Sequence, residues 1–357
     1  MKKNKLLFLA VLLLLSQPIV ASEQDKILDP TIIPVKTQQP KEKKIYPIVI
    51  IGAGAAGTMA VKRAVLNNYE VLLFTGAKQE QRRSRGNWVK TVDNIPGLTE
   101  YKRTVLELRN EVLTRLFHSS LGYNLYVIEE SVIKIEKKED FFELTDGFGR
   151  TYYGKYVVLA TGIMDEQPLI QGSIRPILKY ANGQTVVYCV LCDGHRSFGK
   201  KTVVIGHLES AGDTAFYLAE KYQLASTTVL TNGQPHQFTS GLLKQLEEKQ
   251  IKIFEAPIQE VLGNREEKRL TGFKLETGDV VEAEIGFVAL GIRPNNQLAL
   301  QLGAQVSEYG LVLTDANGET SVAGLFVIGD LRANSMKQIY TAWNHAVEVI
   351  QSIDERM

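Results

Sequence analysis

Apolar positions divide the chain into a short terminal segment and two similar modules. Leu6 to Leu15 form an apolar run behind Lys2, Lys3 and Lys5, and Pro18, Ala21 and Ser22 follow it. A basic start, a brief apolar run and small residues at its end predict an export signal over residues 1–22. The run is too short for an ordinary membrane span, though an uncleaved signal would also act as an anchor. Residues 23–44 are polar, contain Pro30, Pro34 and Pro40, and show neither helical nor strand period, which predicts an extended linker. The folded part is therefore expected outside the cytoplasm, periplasmic or secreted.

Beyond the linker, Ile45 to Ile51 is an unbroken apolar run rich in β-branched residues, the pattern of a buried parallel strand. A helix is predicted over Thr58 to Leu66 and a second strand over Glu70 to Phe74. The same order recurs downstream, with a strand at Thr202 to Ile205, a helix running through Tyr222 and a strand at Thr227 to Thr231. Alternating segments follow each unit, and an apolar strand closes each of them, Tyr156 to Gly162 and Phe287 to Gly291. Two related modules in tandem are expected.

The turns after the two leading strands carry chemistry. Gly52-Ala-Gly54-Ala55-Ala56-Gly57 sits between strand and helix, where Gly52 makes the tight turn, Gly54 admits a pyrophosphate and Gly57 lets the helix pack closely. The helix start supplies amides and a positive dipole end for phosphate. The acid that often holds a ribose at the end of the second strand is replaced by Thr75 and Gly76. In the second module, Gly206-His-Leu-Glu-Ser210-Ala211 has Leu208 where a second glycine belongs, and no arginine follows Thr231 to grip a 2′-phosphate. That turn either binds a nucleotide or belongs to a module that packs and binds one weakly or not at all.

Lysine plus arginine total 41 against 40 acidic residues, which excludes a nucleic-acid binder driven by bulk charge. The length of 357 residues allows about two domains. Only two cysteines occur, in Cys189-Val-Leu-Cys192-Asp193-Gly194-His195. No zinc or other metal site is expected, because four ligands are needed and only scattered histidines remain. So short a loop gains little from a purely structural disulfide. Redox chemistry is the reading that fits, with the first thiolate favoured at a helix start. Asp193 is a candidate acid or base for the thiols, or a simple complement to the helix dipole. His195 is expected at the surface or as a hydrogen-bond partner. Arg82, Arg83 and Arg85 form a basic cluster, expected to be a solvated loop rather than a docking surface.

From Ile45 to Ser352 the sequence resembles the low-molecular-weight (class II) thioredoxin reductase group of FAD-dependent pyridine nucleotide-disulfide oxidoreductases. The motifs are the first glycine turn, Asn94-Ile-Pro-Gly97, Ala160-Thr161-Gly162, Cys189 to Gly194, Gly291-Ile-Arg-Pro294-Asn295 and Gly324-Leu-Phe-Val-Ile-Gly329-Asp330. The resemblance implies an α/β chain of two Rossmann-like dinucleotide-binding domains, the second inserted into the first. It divides the chain into FAD domain (45–167), a domain of the NAD(P) type carrying the cysteines (168–287) and the rest of the FAD domain (288–357). FAD would be held by Gly52, Gly54, Ala55, Ala56, Gly57, Thr75, Gly76, Asn94, Thr161, Gly162 and Gly329. Asp330 would take its ribityl chain, and the amides of Gln338 and Ile339 its O2 and N1 edge. Cys192 would face the flavin and Cys189 would attack the substrate disulfide. NADPH or NADH would meet Gly206, Ser210, Ala211 and Gly291. A homodimer is usual for the group.

Two enzymatic readings stay open. One is a nicotinamide-dependent reductase of a thioredoxin-like protein or a small disulfide. The other is an exported dithiol oxidase of the same fold, which makes no use of NADPH and passes electrons from flavin to oxygen or another acceptor. A third reading, a non-catalytic flavoprotein that binds partners, is disfavoured by the retained Cys189 and Cys192.

Overall fold

A computed structural model describes residues 43–81, 85–88, 92, 94–96 and 104–357. The expected signal, nearly all of the linker, Arg82, Arg83 and Gly97 lie outside the described residues. Among the described residues no helix is long and apolar enough to cross a membrane.

The first module opens with β1 (Ile45–Ile51), whose residues Ile48, Val49 and Ile50 are fully buried. Helix α1 (Ala55–Leu66) follows, then β2 (Val71–Phe74), α2 (Val105–Phe117) and β3 (Leu125–Ile128). Helix α1 begins three residues earlier than its apolar period predicts, because the last residues of the glycine turn are already helical. At α2 the Thr104 hydroxyl accepts from the Glu107 amide and the Glu107 carboxylate from the Thr104 amide, which fixes the helix start. The strands β4 (Val132–Lys137), β5 (Phe142–Asp146) and β6 (Thr151–Leu159) complete a sheet ordered β3-β2-β1-β6-β5-β4.

After β7 (Ile163–Asp165), α3 (Arg175–Asn182) and β8 (Val186–Val187), the second module starts at β9 (Lys201–Ile205). It continues through α4 (Glu209–Lys221), β10 (Ser226–Leu230), α5 (Ser240–Glu248) and β11 (Lys252–Phe254). An antiparallel sheet of β12 (Ile258–Asn264), β13 (Arg269–Leu275) and β14 (Val280–Glu282) precedes β15 (Ile285–Val288). The second main sheet runs β11-β10-β9-β15-β8. Its β11-β10-β9-β15 order copies β3-β2-β1-β6 of the first module, so the repeat in the sequence is a repeat in the fold.

The chain then returns. Strand β16 (Ile292–Pro294) pairs antiparallel with β7, so both crossings between the sheets share one short ladder. Beside it, Thr161 Oγ1 donates to the Asn295 carbonyl at 2.7 Å and the Asn295 amide donates back to the Thr161 carbonyl at 2.8 Å. Strand β17 (Leu325–Val327) rejoins the first sheet against β6, and α6 (Ile339–Asp354) packs on α1. Ala60, Ala64, Ala346 and Val349, all fully buried, make that helix pair close. These are two Rossmann-like domains joined by a double crossing.

Candidate active site

Cys189 ends an extended stretch and caps a single helical turn, Val190–Asp193. The two cysteines are joined in a disulfide with Cα atoms 5.2 Å apart. The Cys192 amide donates to Sγ of Cys189 at 3.1 Å, the arrangement that steadies charge on the first sulfur. Asp193 pairs with Nε of Arg196 at 3.0 Å, and His195 is exposed. Just upstream, the Tyr188 hydroxyl donates to Gln167 at 2.6 Å; burial and then Asp165 push that phenol well above its ordinary value.

The disulfide abuts the start of α6, which belongs to the other domain. Gln338 caps that helix, and its side-chain nitrogen lies 3.3 Å from Sγ of Cys192 and 3.7 Å from Sγ of Cys189. Its side-chain oxygen accepts from Asn94 at 2.7 Å. Asn94, Gln338, Cys189 and Cys192 thus converge, from sequence positions far apart.

An ion-paired group lies beside them. Arg85, in the helical turn Arg85–Trp88, donates to both carboxylate oxygens of Asp165 at 2.8 and 2.9 Å and to Asp330 at 3.1 Å. Burial alone would lower the guanidinium, but Asp165 and Asp330 outweigh it and hold Arg85 above its ordinary value. The solvated-loop reading of this arginine is therefore corrected: its side chain is three-quarters buried and clamped between carboxylates. Nothing in the local sequence marks the pairing, because Asp165 and Asp330 come from distant segments. Lys337, half-buried beside Gln338, is pulled down by burial, with Asp330 acting against the effect and Arg85 adding to it.

The first glycine turn has the shape that a dinucleotide needs. Gly52 has φ of +106°, and a side chain on Gly57 would strike the Gly52 carbonyl oxygen at 1.9 Å. At Gly54 a side chain would meet nothing within 4 Å, so the approach to the start of α1 is open. That helix start carries no side-chain cap and no acid in its first turn. Gly329 packs on Ala56, with a built Cβ only 2.8 Å away, which brings Asp330 next to the turn. Gly76 has φ of +85°, and the Gln81 side chain donates to its carbonyl at 2.8 Å and to the Thr75 hydroxyl at 3.2 Å. Gln81 escaped the sequence reading, and no motif points to it. At the start of α6 the Gln338 side chain makes no capping hydrogen bond to the helix amides, and the first turn holds no acid.

The second glycine turn is built differently. Gly206 is required by packing, since its Cβ would meet the Ala289 carbonyl oxygen at 2.4 Å. Leu208 caps α4, and Glu209 is the first residue of the helix. Glu209 is fixed there, its carboxylate accepting from the Thr239 amide at 2.8 Å and hydroxyl at 2.7 Å. Burial and then Glu209 push the Asp213 carboxyl up. Ser210 and Ala211 fall in the first turn, and Gly291, with φ of +95°, follows the closing strand.

The family model for pyridine nucleotide-disulphide oxidoreductases matches residues 46–346. This chain belongs to that family. The oxidoreductase is 29% identical over 322 residues to a thioredoxin reductase of Mycoplasma genitalium, covering 88% of this chain and 96% of that protein. It is 27% identical to the thioredoxin reductase of Listeria monocytogenes, over 84% of this chain and 90% of its relative. A thioredoxin reductase structure from Streptococcus pyogenes superposes with a TM-score of 0.75 at 24% identity, over 88% of this chain and 98% of that one. The oxidoreductase is thus an FAD-dependent disulfide oxidoreductase of thioredoxin reductase-like build, with its cysteine pair closed against the start of α6.

Proposed function

We propose that this oxidoreductase is exported and passes an electron pair from a dithiol substrate through Cys189 and Cys192 to FAD, without a nicotinamide dinucleotide as donor, the flavin then being reoxidised by oxygen or another acceptor. The observation that carries the reading is Glu209 at the start of α4, fixed by Thr239 behind Leu208. A pyrophosphate at that helix start would meet a carboxylate and a branched side chain instead of open backbone. The segments 206–211 and 231–239 hold no lysine or arginine to offset it. By contrast, Gly54 at the start of α1 is open and uncapped. An export signal over residues 1–22 agrees, because reduced nicotinamide nucleotides are scarce outside the cytoplasm. We assign residues 45–167 and 288–357 to the FAD domain and 168–287 to the domain carrying the cysteines, and a homodimer to the assembly.

The chain's own residues would then act as follows. A thiolate of a dithiol substrate attacks Sγ of Cys189, the disulfide bond breaks and Cys192 leaves as the thiolate. The second substrate thiol attacks the mixed disulfide, the substrate departs as a disulfide and Cys189 takes up the electron pair as a thiol or thiolate. Asp193 carries a proton to or from the sulfurs, and the Gln338 amide holds the charge on Cys192. Gly52, Gly54, Ala55, Ala56 and Gly57 would bind the FAD pyrophosphate, and Asp330 its ribityl chain. Thr75, Gly76, Asn94, Thr161, Gly162 and Gly329 line the same cofactor path, and Gln338 and Ile339 would present their amides to the ring. FAD, when bound, supplies a two-electron acceptor beside Cys192. The substrate is a thioredoxin-like protein or a small dithiol.

Anaerobic mixing of the holoprotein with NADPH, NADH or a dithiol, in separate cuvettes, tests this reading. Bleaching at the flavin band by the dithiol alone is expected. Rapid bleaching by either nucleotide would overturn it and place hydride donors at Gly206, Ser210, Ala211 and Gly291.

A further inference from the structure

The stretch Arg332 to Ser335, just after Asp330, lines a cavity of about 270 Å³ that the disulfide chemistry does not use. Its walls include Thr314, Asp315, Arg332, Asn334, Ser335 and His345. Two of these residues carry buried polar atoms without a hydrogen bond, Nη1 of Arg332 and Nδ1 of His345. His345 is 7% exposed and the Arg332 side chain 13%. Buried polar atoms are almost always hydrogen-bonded, so two unpartnered ones on one cavity point to an occupant.

The Arg332 guanidinium is only partly hydrogen-bonded. Nη2 of Arg332 is taken by the carbonyl oxygens of Asp315 and Ala316, at 2.9 and 3.0 Å. A carboxylate oxygen of Glu348 lies 3.8 Å from Nη1, close enough to pair as ions but beyond hydrogen-bond reach. The other oxygen of Glu348 accepts from Asn344 at 2.7 Å, and Asp315 turns its carboxylate to the Glu319 amide at 2.8 Å. Lys337 donates to the Arg332 carbonyl at 2.5 Å. Burial first and Arg332 next hold the His345 imidazole below its ordinary value.

We propose that the cavity binds a small oxyanion, a phosphate or a carboxylate group, between the Arg332 guanidinium and the His345 imidazole. The planar guanidinium edge matches oxygens of such groups, and a neutral imidazole adds one N–H donor. A metal cation is disfavoured by the fixed arginine charge. A bridging water would satisfy the hydrogen bonds but leave the guanidinium without an anion in contact. The bound anion braces the segment between Asp330 and Gln338, so it acts on the flavin pocket from outside it.

Thermal melts of the holoprotein at matched ionic strength, in chloride, phosphate or acetate, test the assignment together with calorimetric titration. A saturable rise of Tm in phosphate marks a phosphate site, and one confined to acetate marks a carboxylate site. Arg332→Gln and His345→Phe are each expected to weaken binding by about tenfold, the loss of one charge-assisted hydrogen bond. No difference from chloride in the wild type, or an undiminished response in His345→Phe, would overturn the proposal. His345→Phe keeps the ring volume and the guanidinium, so it decides the matter even where Arg332→Gln fails to fold.

Discussion

The side-chain amide of Gln338 lies 3.3 Å from Sγ of Cys192, across the boundary between the two domains. Its opposite end is held by Asn94, so the amide cannot turn away without losing that bond. A donor at this sulfur favours its thiolate once the disulfide is reduced. In Gln338→Leu, the pH midpoint for alkylation of reduced Cys192 should rise by about one unit, and turnover should fall about tenfold. Mass spectrometry of the alkylated peptide across pH reads the first effect. An unchanged midpoint would remove Gln338 from the chemistry.

Arg85→Met leaves Asp165 and Asp330 facing each other without their shared cation. Breaking a buried pair by removing one partner costs about 3 kcal/mol or more. Tm is expected to fall by several degrees, and purified protein should carry less FAD. Absorbance of the flavin relative to protein, measured beside the melt, separates the two effects. Retention of full FAD content and unaltered stability would show that the three side chains do not work together.

Two glycines of one turn should respond in opposite ways. Gly54→Val places its branch in open space, so the fold survives while the approach to the helix start is filled. The variant is expected to melt within about 1 kcal/mol of the apoprotein but to bind FAD at least about tenfold more weakly. Gly57→Ala drives a methyl into the Gly52 carbonyl and should cost about 3 kcal/mol in the fold itself. Paired circular-dichroism melts and flavin titrations distinguish them.

Acid should weaken the fold through His345. Burial, Arg332 and Lys337 hold its imidazole below the ordinary 6.5, against the pull of Glu348 and Asp330. The unfolded chain therefore binds a proton at a pH where the folded chain does not, and stability falls as pH drops through that window. In chloride, the wild type should lose Tm between pH 7 and pH 5 more steeply than His345→Phe. Parallel slopes would show that His345 does not titrate differently on unfolding.

The sequence carried the architecture because the determinants are local. Ile45 to Ile51 followed by a glycine turn can hardly be anything but a buried strand feeding a helix, and the same signature recurred at Thr202. Cys189 and Cys192 were legible for the same reason, being three positions apart. What stayed hidden was the partnership between distant segments. Arg85 lies among other cations and looked like solvated surface, yet its partners are Asp165 and Asp330. Charge counted along the chain says nothing about which carboxylates the fold delivers. Arg332 and His345 were invisible for the same cause: each is ordinary in its own segment, and only the return of the chain through β17 and α6 sets them around one cavity. Leu208 stands out in the sequence where a glycine is expected, but the fixed carboxylate of Glu209 next to it emerges only with Thr239 in place.

The β7–β16 ladder gives the molecule a mechanical property. Both crossings pass through a single narrow ribbon, and Asp165 at the edge of that ribbon is gripped by Arg85, which also grips Asp330. Any turn of one sheet against the other would have to pass through this ribbon, and the guanidinium links it to the carboxylate beside the glycine turn. The crossing between the sheets and the carboxylate beside the glycine turn are thereby tied through a single guanidinium.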